Sequence, residues 1–170
     1  RRALGDALRL AANYPRAAAR IKSYEAQLAV RRNDRNAQKQ ALEEGLALAR
    51  KADLPRVQAL LEASLADFYL SNNEPEKARR LVEEALPLLQ RFGEPRALRT
   101  ARHNLAVALV RLRAFEAARA QIALIDQLPV GDDDVRGRAE ELRELGEAWV
   151  QTGQAREALA LYHTERRLTQ

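Results

Sequence analysis

Pro15-Arg16, Pro55-Arg56 and Pro95-Arg96 stand 40 residues apart, and Val135-Arg136 fills the place where a fourth would fall. Such a period marks one repeated supersecondary unit, each copy burying its apolar face against the next. The columns between these markers hold. Leu65, Leu105 and Leu145 share a position with Glu25, and Ala26, Ala66, Ala106 and Gly146 follow directly. Three residues on come Ala29, Tyr69, Leu109 and Trp149. That i, i+1, i+4 spacing places them on one face of a helix. Asn33, Asn73, Arg113 and Gly153 then mark a turn, three of the four being residues suited to one.

A second periodic stretch follows. Its inner column is Gln38, Ala78, Ala118 and Ala158, and four residues later come Leu42, Val82, Ile122 and Tyr162. A further column is Leu throughout: Leu48, Leu88, Leu128 and Leu168. Each unit is therefore a helix A, a tight turn and a helix B, with small residues where the two helices cross and larger ones filling between neighbouring pairs. Pro15, Pro55 and Pro95 fit the first turn of helix A, where a missing N–H leaves nothing unpaired. Asp134 fits an N-cap before Val135. Pro87 is expected to kink its helix B.

The chain divides into a trailing helix of a preceding repeat at 1–14 and units at 15–54, 55–94, 95–134 and 135–170, the last cut short. Both ends fall inside helices, so the expectation is a segment of a longer polypeptide.

Composition narrows the class. Aromatic residues are 5% of the 170, with Ala, Leu, Arg and Glu dominant, a mixture that favours helices over sheets. No run of 18 apolar residues and no signal-peptide pattern occurs, so no membrane contact is expected of this segment. The absence of Cys excludes disulfides and thiolate metal sites, and it suits a bacterial periplasm or the cytoplasm equally. Net charge is +5, concentrated in residues 1–54, which carry 12 Lys/Arg against 6 Asp/Glu. Without an aromatic-studded basic stripe, a Cys/His finger or a Gly-rich phosphate loop, that excess reads as solvated helix surface rather than a nucleic-acid site.

Leu142, Leu145, Gly146, Trp149, Gly153, Ala158 and Tyr162 resemble the tetratricopeptide repeat signature. Leu65-Ala66, Tyr69, Ala78, Val82 and Ala85 resemble it too, as do Leu105-Ala106, Leu109, Phe115, Ala118 and Ile122. The first unit departs from it at Glu25 and Gln38. The resemblance implies an all-α, right-handed superhelical solenoid of antiparallel helix hairpins, with helix A lining a concave groove. A period above the family's usual length of about 34 implies longer helices, as in tetratricopeptide regions of bacterial regulators. Glu157-Ala158-Leu159-Ala160-Leu161-Tyr162 and Arg166-Arg167-Leu168-Thr169 resemble the last repeat of bacterial sensors that continue into a diguanylate cyclase (GGDEF) domain.

Carried onto this sequence, the family's groove positions are Arg20, Ser23, Tyr24, Gln27 and Arg31 in the first unit and Leu60, Ala63, Ser64, Asp67 and Ser71 in the second. The third gives Thr100, His103, Asn104, Val107 and Arg111, and the fourth Glu140, Arg143, Glu144, Glu147 and Gln151. Charge grades along them from basic Arg20 and Arg31 to acidic Glu144 and Glu147, which would orient a charged peptide. Of the Lys, Asn and Arg set with which some members grip a peptide carboxylate, only Asn104 is matched.

No catalytic constellation stands out. His103 and His163 lie in different repeats and read as ordinary surface histidines. Asp132-Asp133-Asp134 lacks calcium-loop spacing and reads as charge before a helix N-terminus. Glu43-Glu44 and Glu83-Glu84 diverge on their helices and read as solvated surface. Ser23, Ser64 and Ser71 have no neighbouring base. The column Arg16, Arg56, Arg96 and Arg136 reads as bonding the last carbonyls of the preceding helix B. Function is thus expected to be non-enzymatic, without cofactor or metal. The first reading is a protein- or peptide-binding module, the sensory region of a bacterial signalling protein. The alternatives are a scaffold or homodimerising domain, or the repeat region of a transcription regulator.

Overall fold

A computed structural model describes residues 14–128 and 135–168. Helix A of each unit is α1 (Pro15–Arg31), α3 (Pro55–Ser71), α5 (Pro95–Arg111) and α7 (Val135–Gln151). Helix B is α2 (Arg35–Lys51), α4 (Pro75–Phe92), α6 (Phe115–Asp126) and α8 (Ala155–Leu168). Both sets begin at 40-residue intervals, so the sequence period is the structural period. No strand occurs among the described residues, and successive helices pack on one another, save α6 and α7, which the Arg138–Asp126 ion pair joins. The architecture is an all-α solenoid. The trailing helix of 1–14 up to residue 13, and the run Asp132-Asp133-Asp134, lie outside the described residues.

The turns show why the period is strict. Asn33, Asn73, Arg113 and Gly153 all take left-handed backbone, with φ of 53°, 57°, 60° and 82°. Behind each, an amide bonds back five residues: Asp34 to Ala29, Glu74 to Tyr69, Ala114 to Leu109 and Gln154 to Trp149, each at 2.9 Å. With the companion bonds from Asn33, Asn73, Arg113 and Gly153 to Val30, Leu70, Val110 and Val150, these are Schellman closures that satisfy the last carbonyls of helix A. Asp53 and Gly93 close helix B in the same way, at φ of 50° and 61°. Arg113 was the misfit of the sequence column. It adopts the same conformation, at a strain of about 1 kcal/mol for a side chain bearing Cβ. Pro15, Pro55, Pro75 and Pro95 each open a helix, as their missing N–H allows.

Helix B is less uniform than its sequence column. α6 stops at Asp126, so Leu128 lies past its end, and α4 runs unbroken through Pro87 to Phe92.

The core follows the columns. Leu65, Leu105 and Leu145 are buried beside Ala66, Ala106 and Gly146, with Tyr69, Leu109 and Trp149 one turn on. Trp149 is 1% exposed and lies 5.3 Å from the Phe115 ring, between centroids. Gly146 is required by Tyr162: a Cβ there would sit 2.6 Å from the ring. The other units reverse the sizes, pairing Ala66 with Val82 and Ala106 with Ile122 in the same columns. The first unit departs where the sequence departs. Glu25 is half-buried and pairs with Lys22 at 2.8 Å, and Lys22 also reaches Glu44.

Ionic clasps join the units. Arg50 spans from α2 to Glu62 on α3 and Glu84 on α4, each at 2.8 Å. Glu62 is fully buried and takes a second bond from Gln58. Arg138 holds Asp126 at 2.8 Å, and Arg119 crosses to Glu157. Glu44 and Glu84 stay on the solvated surface that the sequence suggests, each with one ionic partner, Lys22 and Arg50. One expectation changes: Arg56 pairs with the Glu94 carboxylate ahead of it rather than with carbonyls behind. No described helix is long and apolar enough to cross a membrane.

Candidate binding groove

Helices α3, α5 and α7 pack side by side, while α1 rests mainly on α2 and only lightly on α3. Among the described residues, two openings lie on this row, one at α1/α3 and one at α5/α7. Residues 101–110 of α5 are buried without a break, because helices flank α5 on several sides.

The first opening has a volume of about 780 Å³. Arg16, Arg20, Tyr24 and Gln27 line it from α1, and Arg56, Val57 and Leu60 from α3. Leu54 and Phe92, from the ends of the neighbouring connections, complete an apolar wall. Tyr24 is 52% exposed and Leu60 38%, an unusual amount of bare apolar surface for residues facing a concavity. Arg16 and Arg20 have no ionic partner among the described residues.

The second opening, about 510 Å³, is lined by Asp67 from α3, by Arg96, Arg99, Thr100, His103 and Asn104 from α5, and by the α7 face from Gly137 to Glu147. Its polar groups largely satisfy one another. Arg99 Nε and Thr100 Oγ1 both meet Glu141 at 3.3 Å, and Asn104 donates to the Ala63 carbonyl at 3.4 Å. His103 lies 3.1 Å from Glu144. A carboxylate only accepts, so Nε2–H is the donor, which leaves Nδ1 buried without a partner. At 2% exposure His103 is not the ordinary surface histidine its sequence context suggested; α7 covers it.

The carboxylates respond to this crowding. The hydrogen bond from His103 holds Glu144 below the usual carboxylate range, against partial desolvation. Asp67 is displaced upward because the walls of the concavity strip part of its hydration, and the Glu144 charge adds to that. Asp67 nonetheless keeps an exposed edge.

The sequence-derived groove residues thus separate. Arg20, Tyr24 and Gln27 meet in the first opening. Asp67, Thr100, His103, Asn104, Arg143, Glu144 and Glu147 meet in the second. Arg31 sits at the last turn of α1, outside both. Ser64 returns its hydroxyl to Leu60 within its own helix, at 3.0 Å. Arg111 bonds the Leu70 carbonyl at the end of α3, so charge reversal there would test stability rather than recognition. Sequence reasoning missed Phe92 and Leu54, because helix A columns say nothing of helix ends. Arg16 and Arg56 were visible in the recurrent Pro-Arg pairs. Among the described residues no group of three or more His, Cys, Asp or Glu is placed to hold a metal.

Among solved structures, the chain is similar to the crystal structure of BtubC (BKLC) from P. vanneervenii, with a TM-score of 0.69 and 21% identity. The likeness covers 91% of this chain and 64% of that one. This is a helical-repeat fold. No protein-family model matches the sequence, and no curated protein does. At 21% identity the likeness to BtubC concerns architecture alone. The solenoid spans less than two thirds of the BtubC chain.

Proposed function

We propose that the chain is a tetratricopeptide-type module without catalysis of its own. It binds a peptide or protein segment along the helix A face and serves as the sensory or regulatory region of a larger bacterial signalling protein such as a diguanylate cyclase. One observation carries the binding reading: two openings of about 780 and 510 Å³ lie on the same row of helices and differ in charge. The first gathers Arg16, Arg20 and Arg56 against Asp53, and the second gathers Asp67, Glu140, Glu141, Glu144 and Glu147 against Arg96, Arg99 and Arg143. A bound segment reading opposite charges at the two openings has a defined direction. The signalling context rests on the resemblance of 157–169 to sensor repeats.

Selection of random linear peptides on the immobilised protein tests the binding reading. Enriched peptides should lose affinity on charge reversal at Arg20 or at the exposed Glu147 and keep it on reversal at the outer-face residue Arg79. Failure to enrich any groove-dependent peptide would defeat it.

The scaffold reading draws on Val150 and Leu159, large apolar residues exposed on the last hairpin. Sedimentation of wild type against a Val150→Glu, Leu159→Glu variant distinguishes it: a dimer abolished by the pair would favour assembly.

A further inference from the structure

The two openings are not equally ready for a ligand. In the second, Glu141 and Glu144 already hold Arg99, Thr100 and His103. In the first, the Arg16 and Arg20 guanidinium groups have no ionic partner among the described residues, and Tyr24 and Leu60 are exposed. Arg16, Arg20, Tyr24 and Gln27 form a single stripe at i, i+4, i+8 and i+11 on α1, facing Val57 and Leu60 of α3. Leu54 and Phe92 close the floor.

The geometry points to a specific occupant, on the reading that this face binds a segment: an extended acidic stretch that ends in a large apolar side chain. The chemistry at each position supports this. Arg16 and Arg20 offer planar forks that pair bidentately with carboxylates. Arg56 is engaged by Glu94, so the two α1 arginines supply the available positive charge, against the single carboxylate of Asp53. Tyr24 gives a rigid amphipathic platform, and Leu60, Val57 and Phe92 an apolar wall that a buried side chain would desolvate. From Arg16 to Tyr24 the helix rises about 12 Å. An extended chain covers that distance in about four residues. The expected motif is therefore one or two Glu or Asp residues followed, about three to four positions on, by Leu, Phe or Trp. A nucleic-acid backbone would satisfy the arginines but leave the apolar wall wet.

The test is a fluorescence-anisotropy titration with a short labelled peptide carrying Glu-Glu and, four positions on, Phe. Two controls replace Glu-Glu by Lys-Lys or Phe by Ser. The acidic, Phe-bearing probe should bind at least tenfold more tightly than either control. Arg20→Glu and Leu60→Ser should each weaken it at least fivefold, with unchanged circular dichroism, since both side chains are exposed. Affinity should also fall as salt is raised. Equal binding of the three peptides, indifference to Arg20→Glu, or displacement by a single-stranded oligonucleotide would each overturn the inference. The random-peptide selection separates the two proposals. Basic peptides lost on Glu147→Lys would leave the module reading standing and sink this one, whereas no enrichment at all would sink both.

Discussion

The first and last junctions of the solenoid repeat the same backbone and are filled on opposite plans. At α1/α3 the signature column supplies Tyr69, whose hydroxyl donates to Glu43 of α2 at 3.5 Å, and α1 barely leans on its neighbour. At α5/α7 it supplies Trp149, buried against Phe115 and capped by the Arg119 guanidinium 5.6 Å from its ring. The consequence is a cleft walled by bare apolar and cationic groups at one end, and a cleft of mutually satisfied polar groups at the other. A repeat fold lets packing strength vary along its length because each unit answers only to its neighbours. The loosely filled junction is the one that leaves Tyr24 and Leu60 exposed.

Perturbing the two junctions should give effects of very different size. Trp149→Ala removes the largest buried side chain of the last hairpin, and urea denaturation should show a loss of about 3–5 kcal/mol. Hydrogen exchange should place the damage in α7 and α8. Gly146→Ala drives a Cβ into the Tyr162 ring and should lose about 1–3 kcal/mol. Adding Tyr162→Val, which recreates the Ala66/Val82 pairing, should recover part of that loss. A double-mutant cycle with no coupling would refute the size compensation. At the other end, Tyr24→Ser should change stability by no more than about 0.5 kcal/mol, because more than half of its surface is already in water. A large loss there would mean that Tyr24 supports the fold rather than awaiting a ligand.

The smallest effects should be electrostatic. Asp67 has a raised folded-state pKa, so its ionisation opposes folding at neutral pH, and protonation removes that penalty as pH falls through the raised value. Asp67→Asn should therefore lift the thermal midpoint slightly at pH 7, the gain fading on acidification. Glu144 has the opposite sign. Its lowered pKa contributes stability that is present above the ordinary glutamate value of 4.5 and is lost as pH drops through the depressed one. Glu144→Gln should lower the midpoint at pH 7 and flatten the acid limb of the stability curve.

How far the sequence could be read differs between fold and site. The columns Ala66, Ala106 and Gly146 or Asn33, Asn73 and Gly153 are legible because burial and left-handed backbone restrict residue type at a fixed place in every unit. Arg113 is the instructive exception: two Schellman bonds hold it in a conformation its residue type does not favour. The site was only half legible. Helix A spacing placed Tyr24 and Glu144 on the inner face, but nothing in it said that α7 would bury His103 or that Arg111 would be drawn to a carbonyl of α3. The cross-repeat clasps Arg50–Glu62–Glu84 and Arg138–Asp126 were equally hidden, since charged columns change identity from unit to unit.

The sequence by itself determined the period, the helix pairs, their closing turns and the all-α class, because these depend on local stereochemistry and on apolar spacing repeated every 40 residues. Only the tertiary structure decided which inner-face residues are free. That depends on how closely neighbouring units approach, and the approach is set by side-chain volumes summed across two helices at once. One such sum seals His103 behind α7, and another leaves Arg20, Tyr24 and Leu60 open to a partner.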